Sequence, residues 1–372
     1  MVWAGGKAQM AMIFRWSTEA KIEMAEVLAA GLGMAGPVLL ATMSGHLGPG
    51  LAAAIGSLAV GGIETASSNI KAQAKSEAAA LAPAALAAFL AVLVGGHGWL
   101  TDAMLVLLAG IAATIGGYSR FMTATTKRFI LFLMIVNAAV SSSCSMEASH
   151  AAGLLLLVVA GALWTSVLAL LFGTLARMRG SVMPSMVGPS AATATTSQKF
   201  TRWKRSLANL AGWQYTLRLA VGLGLAAALR SLLPDHHLNW IALTVAIVTP
   251  RNIEPVPIKM TQRALGTAIG VGAASLFLTF ELPSLALVVA IGLLASARRL
   301  LKAKSYLAYS AVMTPLILLI MDAGRPVESG LLIDRQVATL TGIVLVVATN
   351  LLFGKSCRRA LLLAKKPSTG HA

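Results

Sequence analysis

Long apolar runs recur along the whole chain, and they constrain its fold more than any other feature. The runs have 13 to 25 residues, and most are close to the ~20 that an α-helix needs to cross about 30 Å of hydrocarbon. Six runs precede a Ser- and Thr-rich stretch and six follow it, so the sequence predicts an all-α integral membrane protein with about twelve transmembrane helices. The runs cover residues 24–43, 49–63, 78–95, 101–118, 129–145 and 151–175, then 212–233, 238–250, 262–280, 283–297, 306–321 and 333–353.

Composition also favours a membrane protein over a soluble one. Apolar residues make up 57% of the chain and charged residues only 12%, which leaves too little polar surface to cover a soluble globule. The formal net charge of +17 would suggest nucleic acid as the partner of a soluble protein. Here the basic residues form short clusters between apolar runs. We therefore predict the lipid bilayer, and no nucleic acid, as a partner.

The basic clusters occupy alternate loops, which predicts the orientation. If the N-terminus is cytoplasmic, every dense cluster faces inside and only Arg230, Arg325 and Arg335 face outside. One missed span would invert all later clusters, so we predict a multi-pass protein of a bacterial inner membrane with both termini in the cytoplasm. The inside clusters are Lys71/Lys75, Arg120/Lys127/Arg128, the stretch 177–205, Arg251/Lys259/Arg263, Arg298/Arg299/Lys302/Lys304 and the stretch 355–366.

A short internal match suggests that the chain is a duplication. The tetrapeptide Leu-Leu-Phe-Gly closes the first six runs at 170–173 and the second six at 351–354, each time before basic residues. Because each half has an even number of spans, both would enter from the same side as parallel repeats. The predicted divisions are a cytoplasmic N-terminus (1–23), a first six-helix repeat (24–175), a cytoplasmic linker (176–211), a second six-helix repeat (212–354) and a basic tail (355–372), with no large soluble domain.

Motifs for catalysis, cofactors and metals are absent from the sequence. Gly354, Lys355 and Ser356 resemble the end of a phosphate-binding loop, but position 349 is Thr where that motif needs Gly. We therefore predict no enzyme activity, no cofactor and no metal site. Five histidines of the chain lie in or beside predicted outer loops. We interpret them as ordinary loop residues, and the alternative is a pH sensor or a metal cluster. They are His46, His97, His150, His236 and His237.

Carboxylates lie at predicted span ends or in loops, and none is near the bilayer centre. A proton relay often uses such a central acid. An organic anion that leaves a cell that is negative inside gains about 2.3 kcal/mol per charge per 100 mV, so its export needs no relay. The alternative is a relay at span ends through Glu64, Asp102 or Asp334.

Arginines near span ends are candidates for binding a substrate carboxylate. Arg218, Arg263 and Arg335 could each pair with it bidentately. The alternative is that they extend to the lipid headgroups. The short eighth span ends at Pro250, and such broken spans are where transporters expose backbone to substrate. We predict a pathway between the halves that is lined by Asn137, Arg218, Trp240, Thr244, Pro250, Arg263, Arg335, Thr339 and Asn350.

Motifs of the second half resemble the fusaric acid resistance (FUSC) family of bacterial membrane proteins. They are Trp-x-x-Leu-Thr at 240–244 with Pro250 ending that span, Arg-x-Leu-Gly-Thr-x-x-Gly at 263–270, and Arg335 with Thr339 and Gly342. The resemblance covers roughly residues 215–354. It implies efflux of aromatic or other organic acids, in some members with a periplasmic adaptor, and a distant likeness to aluminium-activated malate transporters. Ala338 stands where members commonly carry Asp, so a role tied to that Asp is in doubt.

These observations predict an exporter of organic acid anions, mainly aromatic carboxylates. Its predicted partners are these small organic anions and either a periplasmic adaptor protein or, in a homo-oligomer, further copies of the same chain. The rival hypothesis is a non-transporting module that assembles with or supports an envelope system. Polar residues at mid-membrane depth in both halves, Asn137 and Asn350, favour transport. An enzyme acting on lipid is a third alternative, disfavoured because no acid or histidine cluster marks one membrane face.

Overall fold

The computed structural model of the chain describes thirteen helices in residues 12–17, 23–60, 70–142, 148–179, 195–233, 238–251, 258–279, 283–322 and 329–364. This confirms the predicted all-α class: no strand or soluble domain interrupts the helices of that part of the chain. The helices are α1 (Met24–Met43), α2 (Leu47–Val60), α3 (Ile70–Val94), α4 (Trp99–Ile115), α5 (Arg120–Ser142), α6 (Ala148–Met178), α7 (Thr196–Leu207), α8 (Leu210–Leu232), α9 (Asn239–Val248), α10 (Ile258–Thr279), α11 (Ser284–Lys304), α12 (Tyr306–Asp322) and α13 (Ser329–Ala364).

Each predicted span coincides with one helix, although the helices differ in length. Seven are long and apolar enough to cross a membrane: α1, α3, α5, α6, α8, α11 and α13. The apolar helices α2, α4, α9 and α12 have only 10–17 residues. At 1.5 Å per residue, the 10 residues of α9 span about 15 Å, half of the hydrocarbon thickness. The short eighth span is thus confirmed, and twelve complete crossings stay a prediction.

Helix α7 lies inside the segment predicted as a linker and was not foreseen. It has 12 residues, none of them buried, and four of them are basic, so no apolar run indicated it. Its start is fixed by a capping box in which Thr195 and Gln198 bond to each other's backbone. The indole of Trp203 donates to the Thr114 carbonyl at the end of α4 (3.1 Å). This contact ties the surface helix to the bundle.

The two sets of six helices pack through corresponding pairs. In the first set α2 packs on α6 and α3 on α5, and in the second set α9 packs on α13 and α10 on α12. The sets meet mainly along α4 against α8 and α1 against α11, which pair the fourth helix of one set with the first helix of the other. Smaller contacts join α5 to α9 and α2 to α12. This correspondence supports the predicted repeat, whose division of the chain remains a prediction.

Glycines and small residues allow the closest helix approaches, as is typical of membrane proteins. A Cβ at Gly161 of α6 would run into the backbone of Ala53 in α2, and one at Gly56 into the backbone of Val158. In the second set, a Cβ at Gly342 would lie 2.8 Å from the Thr244 Cβ. The second helix of each set therefore packs tightly on the sixth.

Candidate polar centres in the membrane helices

Arg218 joins three helices of the second set near their predicted cytoplasmic ends. Its side chain in α8 is fully buried. One terminal nitrogen donates to Asn350 Oδ1 (2.6 Å), the other to the carbonyls of Pro250 and Arg251 (3.0 Å each), and Nε donates to the Gln214 carbonyl (3.2 Å). These carbonyls are available because α9 stops at Val248, before Pro250. The structure thus unites three predicted site residues: Arg218, Pro250 and Asn350.

Arg335 and Trp240 form a second centre, near the opposite ends of α13 and α9. The guanidinium carbon of Arg335 lies 3.5 Å from the centroid of the Trp240 ring. Both side chains are buried, at 1% and 6% exposure. A cation over an indole face is attracted by the ring quadrupole, and more strongly when both are desolvated. Thr339, one turn further along α13, donates to the Arg335 carbonyl (2.9 Å).

Arg263 lies apart from both centres, at the contact between α10 and α12. It is 1% exposed, and Nη1 donates to the hydroxyl of Ser310 (3.3 Å). Its Nε is buried without a hydrogen-bond partner in the described part of the chain. A Cβ at Gly266 would lie 2.6 Å from the Ser310 Cβ, so this glycine lets α12 approach Arg263 closely.

The two remaining residues of the predicted pathway, Thr244 and Asn137, belong to neither of these centres. Thr244 is buried in α9 against Gly342, and packing is the contact that the structure shows for it. Asn137 is the only one of the nine in the first set. Its Oδ1 is buried and unpartnered among the described residues, and its side chain lines a cavity of about 30 Å³ between α4, α5, α8 and α9.

The predicted residues therefore do not form one cluster. Arg335 and Asn350 are 15 residues apart on α13, about 22 Å along the helix axis. All three arginines are at most 1% exposed, so their side chains are enclosed by the helix bundle. Whether they line a substrate pathway stays a prediction.

Two ion pairs between the halves were missed by sequence reasoning. At the predicted outer side, Arg230 of α8 contacts Asp102 of α4, with 2.5 Å between Nη2 and Oδ1, and also donates to Asn239 Oδ1 (2.8 Å). At the predicted inner side, Arg299 of α11 pairs with Glu26 of α1. Each charge sits near one end of an apolar run. That placement was visible in the sequence, but the choice of partner was not.

Glu77 also lies elsewhere than predicted. The sequence placed it at a span end, but α3 begins at Ile70, so Glu77 is about two turns into the helix and only 2% exposed. The polar residues between Lys71 and Ser76 hid this helical start from a hydropathy argument. A buried carboxylate is therefore present among the membrane helices, beside Gln73 of its own helix and Ser166 of α6.

Metal ligands do not cluster in the described residues: no group of three His, Cys, Asp or Glu side chains could hold an ion there. His46 and His97 are exposed. The side chains of the other three loop histidines, His150, His236 and His237, lie outside the described residues.

The helix lengths, their apolar composition and the buried arginines define a multi-pass α-helical membrane protein. Residues 223–349 match the family model described as fusaric acid resistance protein-like, which confirms the resemblance carried by the motifs. The match includes Arg230, Trp240, Arg263 and Arg335 and leaves out Arg218, just before it. No curated protein and no solved structure matches the chain. The family supports a role in membrane transport or efflux and makes catalysis a disfavoured alternative.

Proposed function

We propose that the protein exports organic anions, chiefly aromatic carboxylic acids, across a bacterial inner membrane, with both termini in the cytoplasm. The observation that carries the proposal is a pair of buried guanidiniums whose hydrogen-bond partners are neutral. Arg218 donates to carbonyls and to an amide, and Arg263 to a hydroxyl. No described carboxylate forms a salt bridge with either residue. Uncompensated positive charge inside a membrane protein favours the approach of an anion.

The three buried arginines contribute differently to the proposed binding of an anion. Three of the four N–H···O contacts of Arg218 connect α8 to α13 and to the end of α9, so Arg218 is a structural brace. Its charge also makes the local electrostatic potential more positive. Among the described residues Arg263 keeps its Nε without a hydrogen-bond partner, and Arg335 presents its guanidinium to an aromatic face. A carboxylate with an aromatic ring complements a centre made of Arg335 and Trp240. These two arginines therefore carry the proposed contact with substrate.

Membrane potential is the proposed driving force. An anion that moves outward gains about 2.3 kcal/mol per charge per 100 mV when the cell interior is negative. Glu77, at 2% exposure, is the most buried carboxylate in the described residues, and it packs within the first set of helices. It is therefore the first candidate relay if transport instead requires protons, ahead of Asp102 and Asp334.

Inverted membrane vesicles test the proposal, because uptake into them corresponds to export. Labelled benzoate and other aromatic and dicarboxylic acids should accumulate faster when the lumen is made positive, and should still do so after collapse of the pH gradient. Arg263→Ala and Arg335→Ala should lower uptake about tenfold or more, since each removes a charge-assisted hydrogen bond. Lys at either site should restore it in part, because an ammonium lacks the bidentate fork.

Arg202→Ala is the matched control, because Arg202 is an exposed arginine of α7 and its loss should leave uptake unchanged. Rates are normalised to inserted protein, so that a lower amount of protein is not read as slower transport. Uptake that follows the pH gradient and ignores voltage would contradict potential-driven export and direct attention to Glu77→Gln. Absence of uptake for every acid tested would favour the non-transporting module.

A further inference from the structure

The outer ion pair between the halves has the features of an anion-binding site that is occupied by the protein's own carboxylate. Arg230 lies at the end of α8 and holds Asp102 of α4 with one terminal nitrogen and Asn239 of α9 with the other. The side chains of Arg230 and Asp102 are 25% and 18% exposed. The pair is therefore accessible from the predicted outer face and is not sealed in the core.

A cavity of about 30 Å³ adjoins this ion pair, and Asn137 forms part of its lining. Asp102, Arg230 and Asn239 line it together with Asn137, whose Oδ1 is buried and unpartnered in the described part of the chain. The volume suffices for a water molecule. The Asn137 amide also carries N–H donors, so it can donate to a water molecule or an anion that enters this space.

The charges at the two interfaces between the halves have a common pattern. In both, the first half supplies the carboxylate, Asp102 or Glu26, and the second half supplies the guanidinium, Arg230 or Arg299. The Glu26 and Arg299 side chains are only 8% and 11% exposed, so that pair is the more enclosed of the two. The outer pair is thus the one that an external solute reaches first.

We propose that Arg230, with Asn239 and Asn137, is the outer binding site for the carboxylate of a transported organic anion, and that Asp102 occupies this site when substrate is absent. The proposal rests on the proposed function for the identity of the ligand. An arriving carboxylate replaces Asp102 on the guanidinium, and Asp102 reclaims it when the anion leaves. Exchange of one carboxylate for another on a single arginine keeps the cation paired at every stage.

Binding to the purified protein in detergent tests the proposal without reference to transport. Benzoate is the probe, and its affinity is read from the rise in unfolding temperature with concentration. Asp102→Asn retains the shape of the side chain and removes the competing charge. It should bind benzoate about tenfold or more tightly than the unaltered protein, because a charge-assisted contact becomes available to the ligand. The double variant Asp102→Asn/Arg230→Gln should lose that gain.

Glu23→Gln is the matched control, because it removes one negative charge just before α1, at the predicted inner side and away from Asp102. It should leave benzoate affinity unchanged. An equal gain in Glu23→Gln, or a gain that persists in the double variant, would overturn the site in favour of a general charge effect. Asn137→Leu should lower affinity in the Asp102→Asn background, and an unchanged affinity there would remove Asn137 from the site.

The two proposals fail in different ways. Tight, Arg230-dependent benzoate binding in a protein whose vesicles export nothing would leave the site intact and overturn the export function. Export that proceeds normally, with no affinity gain in Asp102→Asn, would leave export intact and overturn the site. The unfolding temperature without ligand shows whether each variant is folded, so a misfolded Arg230→Gln protein is recognised, and Arg230→Lys then replaces it with the same expected loss of most of the gain.

Discussion

The two halves of the bundle pack corresponding helix pairs against each other, but they place different side chains between those helices. Counted back from their shared Leu-Leu-Phe-Gly tetrapeptides, Arg335 and Asn350 of α13 correspond to Leu154 and Ala169 of α6. The second half places buried arginines among its helices. Among the described residues the first half has no buried arginine; its buried charged residues are Glu26 and Glu77, and an apolar crevice of about 320 Å³ lies between α2, α3, α5 and α6.

This difference indicates how a duplicated scaffold can separate two tasks. Small residues let helices approach closely in both halves, as Gly161 does in the first and Gly266 in the second, and such packing needs no buried charge. The second half keeps guanidiniums at a cost in desolvation, which is typical of functional rather than structural residues in membranes. The family match falls on the second half alone, at residues 223–349.

The largest effect that we expect comes from one added methyl group at corresponding glycines. Gly161→Ala should destabilise the protein by about 3 kcal/mol or more, because the new Cβ meets the Ala53 backbone, which cannot move independently of its helix. Gly342→Ala meets the Thr244 Cβ at 2.8 Å and the Ile241 carbonyl at 3.2 Å, a looser contact than the one at Gly161, and should cost about 2 kcal/mol. Thermal unfolding in detergent measures both. Gly272→Ala, with open space around it, is the control, and equal losses at Gly161 and Gly342 would remove the contrast between the halves.

Removal of the Arg218 side chain should have the next largest effect. Arg218→Ala leaves Asn350 Oδ1 and the Pro250 and Arg251 carbonyls without their donor, and we expect a loss of about 3 kcal/mol in unfolding free energy. Arg218→Lys should recover part of this loss. Arg205→Ala on the exposed face of α7 should change stability by less than about 0.5 kcal/mol. A loss that small at Arg218 would contradict its role as a brace.

The smallest effect concerns the contact between Arg335 and Trp240. A double-mutant cycle with Trp240→Leu and Arg335→Met should give a coupling energy of about 1–2 kcal/mol, because the cation and the ring are both desolvated. Trp240→Phe should retain part of the coupling, since a phenyl ring still presents a π face. Unfolding curves of the four proteins supply the measurement, and a coupling near zero would show that the two side chains merely pack together.

The sequence alone determined the helices and the class of protein. A backbone within hydrocarbon must satisfy its own hydrogen bonds, so each apolar run of sufficient length becomes a helix whatever its neighbours are. The same reasoning located the short span before Pro250 and identified most of the buried arginines. It failed where a helix carries polar residues, as in α7 and at the start of α3, because hydropathy then gives no signal.

Only the tertiary structure decided which polar groups meet. Asn350 lies 132 residues from Arg218, and Asp102 lies 128 residues from Arg230, so no local pattern links them. Their pairing follows from which helix faces touch, and that depends on where glycines and alanines allow close approach across the whole bundle. Arg335 could equally have reached the headgroups from its position near a span end. The Trp240 ring and the surrounding helices hold it inside instead, at 1% exposure.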